Sequence, residues 1–238
     1  MTWYLEVAAA TAAIGLVSGL AVPALIARIP EPVSDSDDVV EAPKELYVSI
    51  AAARGLGVRC ALASGVVAGL VGARLGWTWA LLFLLFLVPV GVALAVVDWR
   101  TRLLPTRVIA PSYVVVTVLA VVAALLGDEM PDLVRAGWGW AIAGGTFLLL
   151  WLIYPRGMGY GDVRLSGVLG IALGYLGWGE LIVGVYAGFL LGGIGGTLLT
   201  LLRIVDRRAY PFGPFMLLGA LVGVLWGGTV ADFYVGTP

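Results

Sequence analysis

Apolar stretches of about twenty residues recur from one end of this chain to the other, and no water-soluble fold can bury that many. The 238 residues are 61% hydrophobic and 12% charged, with a mean hydropathy of +1.03; soluble domains have roughly 45–50% apolar and about 25% charged residues. A bilayer core of about 30 Å takes roughly 20 residues of helix. The runs predict eight transmembrane helices at 7–27, 55–73, 77–97, 108–127, 136–155, 165–179, 181–202 and 209–231. Two are weaker: 55–73 contains Arg59, and 165–179 supplies only about 22 Å of helix. The fold class expected is all-α, polytopic, a single membrane domain over 1–238.

Orientation follows from Lys and Arg, which resist translocation. With both termini outside, all of the 14 basic residues except Arg74 and Arg135 fall to the cytoplasmic side. Removing either weak helix would spoil that alternation. The first span has no basic segment ahead of it, and its first basic residue, Arg28, follows the apolar run. It therefore reads as a retained anchor rather than a cleaved signal. Trp77, Trp79 and Trp178 fall near span ends, where an interfacial belt is expected.

Composition also limits the chemistry. The chain has no His, which removes imidazole-based catalysis and metal binding, and one cysteine, Cys60, which excludes an internal disulfide and a cysteine-rich zinc site. A net charge of −1 without a basic stripe gives no sign of a nucleic-acid partner. No metal or cofactor is expected. Gly170 with Gly174, Gly184 with Gly188, and Gly192 with Gly196 have the spacing that lets membrane helices pack closely.

That leaves carboxylates and hydroxyls. Most acids fall in loops; Asp98, directly after the run 77–97, and Asp162, just before the run from Leu165, stand at helix ends on the same expected side. Two neighbouring Asp side chains cannot comfortably both ionise, so one activates water while the other keeps a proton and polarises a carbonyl. Gly157, Gly159 and Gly161 beside Asp162 would permit unusual backbone angles and close approach of an extended substrate. The bland alternative for either Asp is a capping or topology residue.

The segments "VDWRTRLLPTRVI" (97–109) and "GMGYGDVRL" (157–165) together resemble the prepilin peptidases, GxGD-type aspartic proteases of the membrane. That family's D-x-x-T-x-x-L-P run is matched by Asp98, Thr101, Leu104 and Pro105, and its G-x-G-D by Gly159, Gly161 and Asp162. "YPFGPFMLLGA" (210–220) is similar to the segment before the family's last helix, and puts Pro211, Gly213 and Pro214 in the structural shell of the site. The first span, with Gly15, Ser18, Gly19, Arg28 and Pro30, is similar to the family's first helix. The chain departs at Arg164, where the family has Lys, and at Thr106, where Asn is usual; a guanidinium fork is not equivalent to an ammonium. It also lacks the paired C-x-x-C motifs that hold zinc in many members, so their N-methyltransferase activity is not carried over.

The resemblance implies a membrane aspartic endopeptidase of the prokaryotic plasma membrane, with Asp98 and Asp162 catalytic. It would trim leader peptides from prepilin or pseudopilin precursors, its partners besides membrane lipid, at the cytoplasmic face. Residues 98–107 and 156–164 would be the catalytic loops, and 31–54 an acidic loop whose Asp35, Asp37 and Asp38 attract a basic leader or simply stay solvated. Presenilin-like proteases join Y-D to G-x-G-D, whereas Val97 precedes Asp98 here. A non-enzymatic alternative is a small transporter or assembly scaffold with structural acids.

Overall fold

In lipid every backbone N–H and C=O must find its partner within the protein, so apolar runs of this length fold as helices. The computed structural model describes residues 3–31, 45–155, 158–202 and 211–236. Among these it contains ten helices and no strand: α1 (Leu5–Leu20), α2 (Val22–Ala27), α3 (Tyr47–Ala51), α4 (Leu56–Leu75), α5 (Leu81–Thr101), α6 (Thr106–Gly127), α7 (Met130–Ile153), α8 (Tyr160–Leu176), α9 (Trp178–Leu201) and α10 (Gly213–Val235). Seven helical stretches are long and apolar enough to cross a membrane, with α1 and α2 counted as one run, Leu5–Ala27. The chain is an all-α polytopic membrane protein.

The eighth expected span, 165–179, is α8, which begins earlier and has 17 residues, about 26 Å of helix. Twelve of those residues are buried, so α8 is enclosed by its neighbours rather than exposed to lipid. It packs along α7 and touches α6, α9 and α10. Its C-terminal carbonyls, which no intrahelical N–H can reach, are met by Arg135 of α7. The guanidinium donates through Nε to Gly174 O at 2.8 Å and through Nη2 to Tyr175 O at 2.5 Å. Asp132 holds that guanidinium at 2.9 Å, and the Tyr175 hydroxyl donates to Glu129 at 2.9 Å. Arg135, expected only as a loop charge, therefore fixes the far end of the buried helix.

The small-residue pairs meet other helices closely. Gly174 and Gly170 pack against α7: a Cβ on Gly174 would come within 2.9 Å of Arg135 O and of the Gly139 Cα, and one on Gly170 within 2.9 Å of the Ala143 Cβ. Gly184 and Gly188 face α10 with more room: a Cβ there would lie 3.6 Å from the Ala220 Cα and 3.4 Å from the Met216 Cα. The contacts at Gly170 and Gly174 cannot accept a side chain without moving a helix, and overpacking costs roughly 1–3 kcal/mol.

Gly170→Val should therefore lower the melting temperature in detergent by several degrees. Gly145→Ala, where nothing lies within 4 Å of the added Cβ, should leave it nearly unchanged. Differential scanning fluorimetry on the two purified variants checks this.

Candidate active site

Asp98 lies in the last turn of α5 and Asp162 in the first turn of α8; both are on helix rather than in loops. They are 4% and 7% exposed, an uncommon depth for carboxylates. Each is satisfied by a backbone amide that its own helix geometry leaves over. Gly213 N–H, at the first position of α10, donates to Asp98 Oδ2 at 2.9 Å. Gly159 N–H, at the N-cap of α8, donates to Asp162 Oδ2 at 3.1 Å. Such helix starts carry partial positive charge and favour anions.

The two side chains converge. Asp98 acts electrostatically on Asp162, and Leu104 borders both: a Cβ on Gly161 would lie 2.6 Å from the Leu104 Cβ, and one on Gly213 2.8 Å from Asp98 Oδ2 and 3.2 Å from Leu104 Cδ2. Leu104 was visible only as a letter of the L-P motif. Burial first, and the Asp98 charge second, push the Asp162 carboxyl up to about 7, while the Gly159 N–H partly opposes this.

The expected glycine angles are not found at the described positions. Gly159 is in ordinary extended conformation (φ −71°, ψ 143°), and the described glycines with positive φ are Gly55, Gly76 and Gly236. Gly161 and Gly213 are needed for space. Gly157 lies outside the described residues.

The turn after α5 places Leu104. Thr101 donates to Val97 O at 2.8 Å and accepts the Leu103 N–H at 3.3 Å. Arg102 then takes a left-handed conformation, φ 57°, and Pro105 caps α6 in extended conformation. Tyr47 of α3 is buried beside Thr101, and α3 is itself started by Glu31, which accepts the Tyr47 and Val48 N–H groups at 2.9 and 3.0 Å. Sequence reasoning missed Tyr47, because its signal, an isolated Tyr after an acidic loop, has no fixed spacing. Pro211 is buried and Pro214 stands in the first turn of α10, where its missing N–H costs nothing. Of the acidic loop, Asp35, Asp37 and Asp38 lie outside the described residues, whereas Glu45 pairs with Arg100 at 3.1 Å.

Arg164 and Thr106 are partners: the guanidinium donates through Nη1 to Thr106 Oγ1. It also stacks 4.5 Å from the Tyr160 ring centroid, and its carbonyl accepts from the Tyr113 hydroxyl at 2.7 Å. The two departures at these positions thus meet in one contact that ties the start of α6 to α8. No group of acids or Cys that could hold a metal ion is present among the described residues.

A family model described as the type IV leader peptidase family matches residues 85–197, a window that includes both aspartates. The chain is similar to a prepilin leader peptidase/N-methyltransferase from Aeromonas salmonicida, 33% identical over 170 residues, which cover 67% of this chain and 54% of that protein. Proteins of the same description from Stutzerimonas stutzeri and Aeromonas hydrophila are 28% and 30% identical, over 73% and 66% of this chain and 60% and 53% of theirs. The chain spans little more than half the length of these relatives. No solved structure matches it. With seven helical stretches long and apolar enough to cross a membrane and this similarity to prepilin leader peptidases, the chain is a multi-pass protein of the plasma membrane.

Because the Asp162 pKa is raised on folding, ionising it opposes the fold: its contribution is full below about pH 4, falls as pH rises toward 7, and is constant above. Asp162→Asn should therefore raise the melting temperature in detergent at pH 8, with a smaller gain at pH 5. A gain independent of pH would contradict the buried, proton-holding carboxyl.

Proposed function

We propose that this chain is an aspartic endopeptidase that cleaves leader peptides from type IV prepilin-like precursors at the cytoplasmic face of the membrane. The observation that carries the reading is the convergence of Asp98 and Asp162, distant in the chain, at one end of the bundle, with Leu104 packed on the neighbouring Gly161 and Gly213. The similarity to prepilin leader peptidases supports the substrate class.

In this mechanism Asp98 is ionised and Asp162 protonated in the resting site. Asp98 removes a proton from water as its oxygen attacks the scissile carbonyl carbon, while Asp162 donates its hydrogen bond, and then its proton, to the carbonyl oxygen. The tetrahedral intermediate collapses as its hydroxyl proton returns to Asp162 and the proton held by Asp98 passes to the departing amide nitrogen. The C–N bond breaks, leaving a carboxylic acid on the leader and a free amine on the product. The Gly213 and Gly159 N–H groups hold the carboxyls in register, and Gly161 and Gly213 keep the space between them free of side chains. Methyl transfer is not part of this reading, since a chain whose one cysteine is Cys60 has no C-x-x-C pair to hold zinc.

Co-expression with a candidate prepilin and mass spectrometry of the product tests the proposal. Asp98→Asn and Asp162→Asn should each abolish the mass shift, a loss of at least about a thousandfold for groups that act as a unit, with membrane insertion intact. Full processing by either variant rejects the dyad. With wild type in detergent, cleavage should fall about tenfold per pH unit above about 7, as Asp162 loses the proton it must donate. A rate that climbs through that range would assign the proton elsewhere.

A further inference from the structure

An apolar slot of about 590 Å³ lies between α4, α5, α8 and α10, and neither aspartate lines it. It runs from Leu56 to Val71 along α4, about 22 Å at 1.5 Å per residue. Its walls are aliphatic, from Val67, Leu84, Val92, Leu217 and Val224. At the end nearer Asp98 the lining changes to Arg59, Trp99 and Arg100. Arg59, which weakened its run as a membrane span, is exposed there and has no carboxylate partner among the described residues. Arg100 shares its charge with Glu45 at 3.1 Å, and Trp99 is 47% exposed.

We propose that this slot binds an anionic glycerophospholipid, one acyl chain lying between α4, α5 and α10 and the phosphate on Arg59 and Arg100. The charge at its polar end selects this occupant. The polar end carries Arg59, which has no carboxylate partner among the described residues, beside Arg100, which shares its charge with Glu45; this net positive charge matches a phosphate and repels a basic leader, while the rest of the slot offers a headgroup nothing to bond. Pro214 lines the slot and follows Gly213, whose N–H holds Asp98, so an occupied slot also buttresses the start of α10. The site is independent of the proteolytic reading.

Trp99 makes occupancy measurable. The full chain, reconstituted in phosphatidylcholine vesicles, is titrated with bromine-labelled phosphatidylglycerol or bromine-labelled phosphatidylcholine, and quenching is followed in wild type and Trp99→Phe so that the difference isolates Trp99. The labelled phosphatidylglycerol should quench Trp99 at a lower membrane fraction, by about fivefold for each arginine engaged. Arg59→Gln should weaken that preference, Arg59→Gln with Arg100→Gln should remove it, and Ala95→Phe, which fills the slot wall, should abolish Trp99-specific quenching by both lipids. Equal quenching by the two lipids, or quenching unchanged in Ala95→Phe, overturns the proposal. Displacement of the labelled lipid by an apolar helical peptide, with loss of the headgroup preference, would assign the slot to a protein segment and overturn it too. Arg59→Gln alone, a change at an exposed position, keeps the test decisive if the double variant does not fold.

Discussion

Two helix starts, each with backbone N–H groups that no carbonyl of the same helix can reach, hold Asp98 and Asp162, the two buried carboxylates among the described residues. Asp98 is the last-turn residue of α5 yet takes its hydrogen bond from the first residue of α10, and Asp162 reaches back to the N-cap of its own helix. Each arrangement satisfies two groups at once, since a helix start in lipid would otherwise leave an amide unpaired. It also sets a strict size limit at Gly213, where a Cβ would fall within 2.8 Å of Asp98 Oδ2. Asp98 is thus part of how α5 and α10 are joined, and Asp162 part of how α8 begins.

The position of Asp162 depends on a helix that touches little lipid. α8 is pinned at its far end by Arg135 and Glu129, along its length by close approach to α7, and near its start by Tyr113 and the Arg164–Thr106 contact. Residues about 20 Å along the helix from Asp162 therefore control its placement. Rigidity here has a physical purpose: a raised Asp162 pKa needs a site from which water is excluded, and a loose helix would admit it.

The two departures from the family pattern lose their independence in this setting. Arg164 and Thr106 sit in separate motifs, yet their side chains meet, with the guanidinium plane also stacked on Tyr160. A planar fork can bond and stack at the same time, which an ammonium cannot do as well. Trp151 packs on the other partner of that stack, Tyr160, at 5.0 Å between ring centroids, so the start of α8 is braced by aromatic contact as well as by charge.

How much of this was legible beforehand follows from what periodicity and composition can encode. The apolar runs determined the helices, because lipid leaves the backbone no other solution. The absence of His and the single cysteine left carboxylates as the chemistry, and the spacing of Asp98, Thr101, Leu104 and Pro105 with Gly159, Gly161 and Asp162 singled out two of fifteen acids. Only the tertiary structure decided that α8 starts before Asp162, that Gly159 needs no unusual angle, that Leu104 packs on Gly161 and Gly213, and that Tyr47 lies beside Thr101 at the end of α5. Those facts depend on which helix faces lie against each other, and in a chain apolar on nearly every face a helical period carries no record of which side is inward.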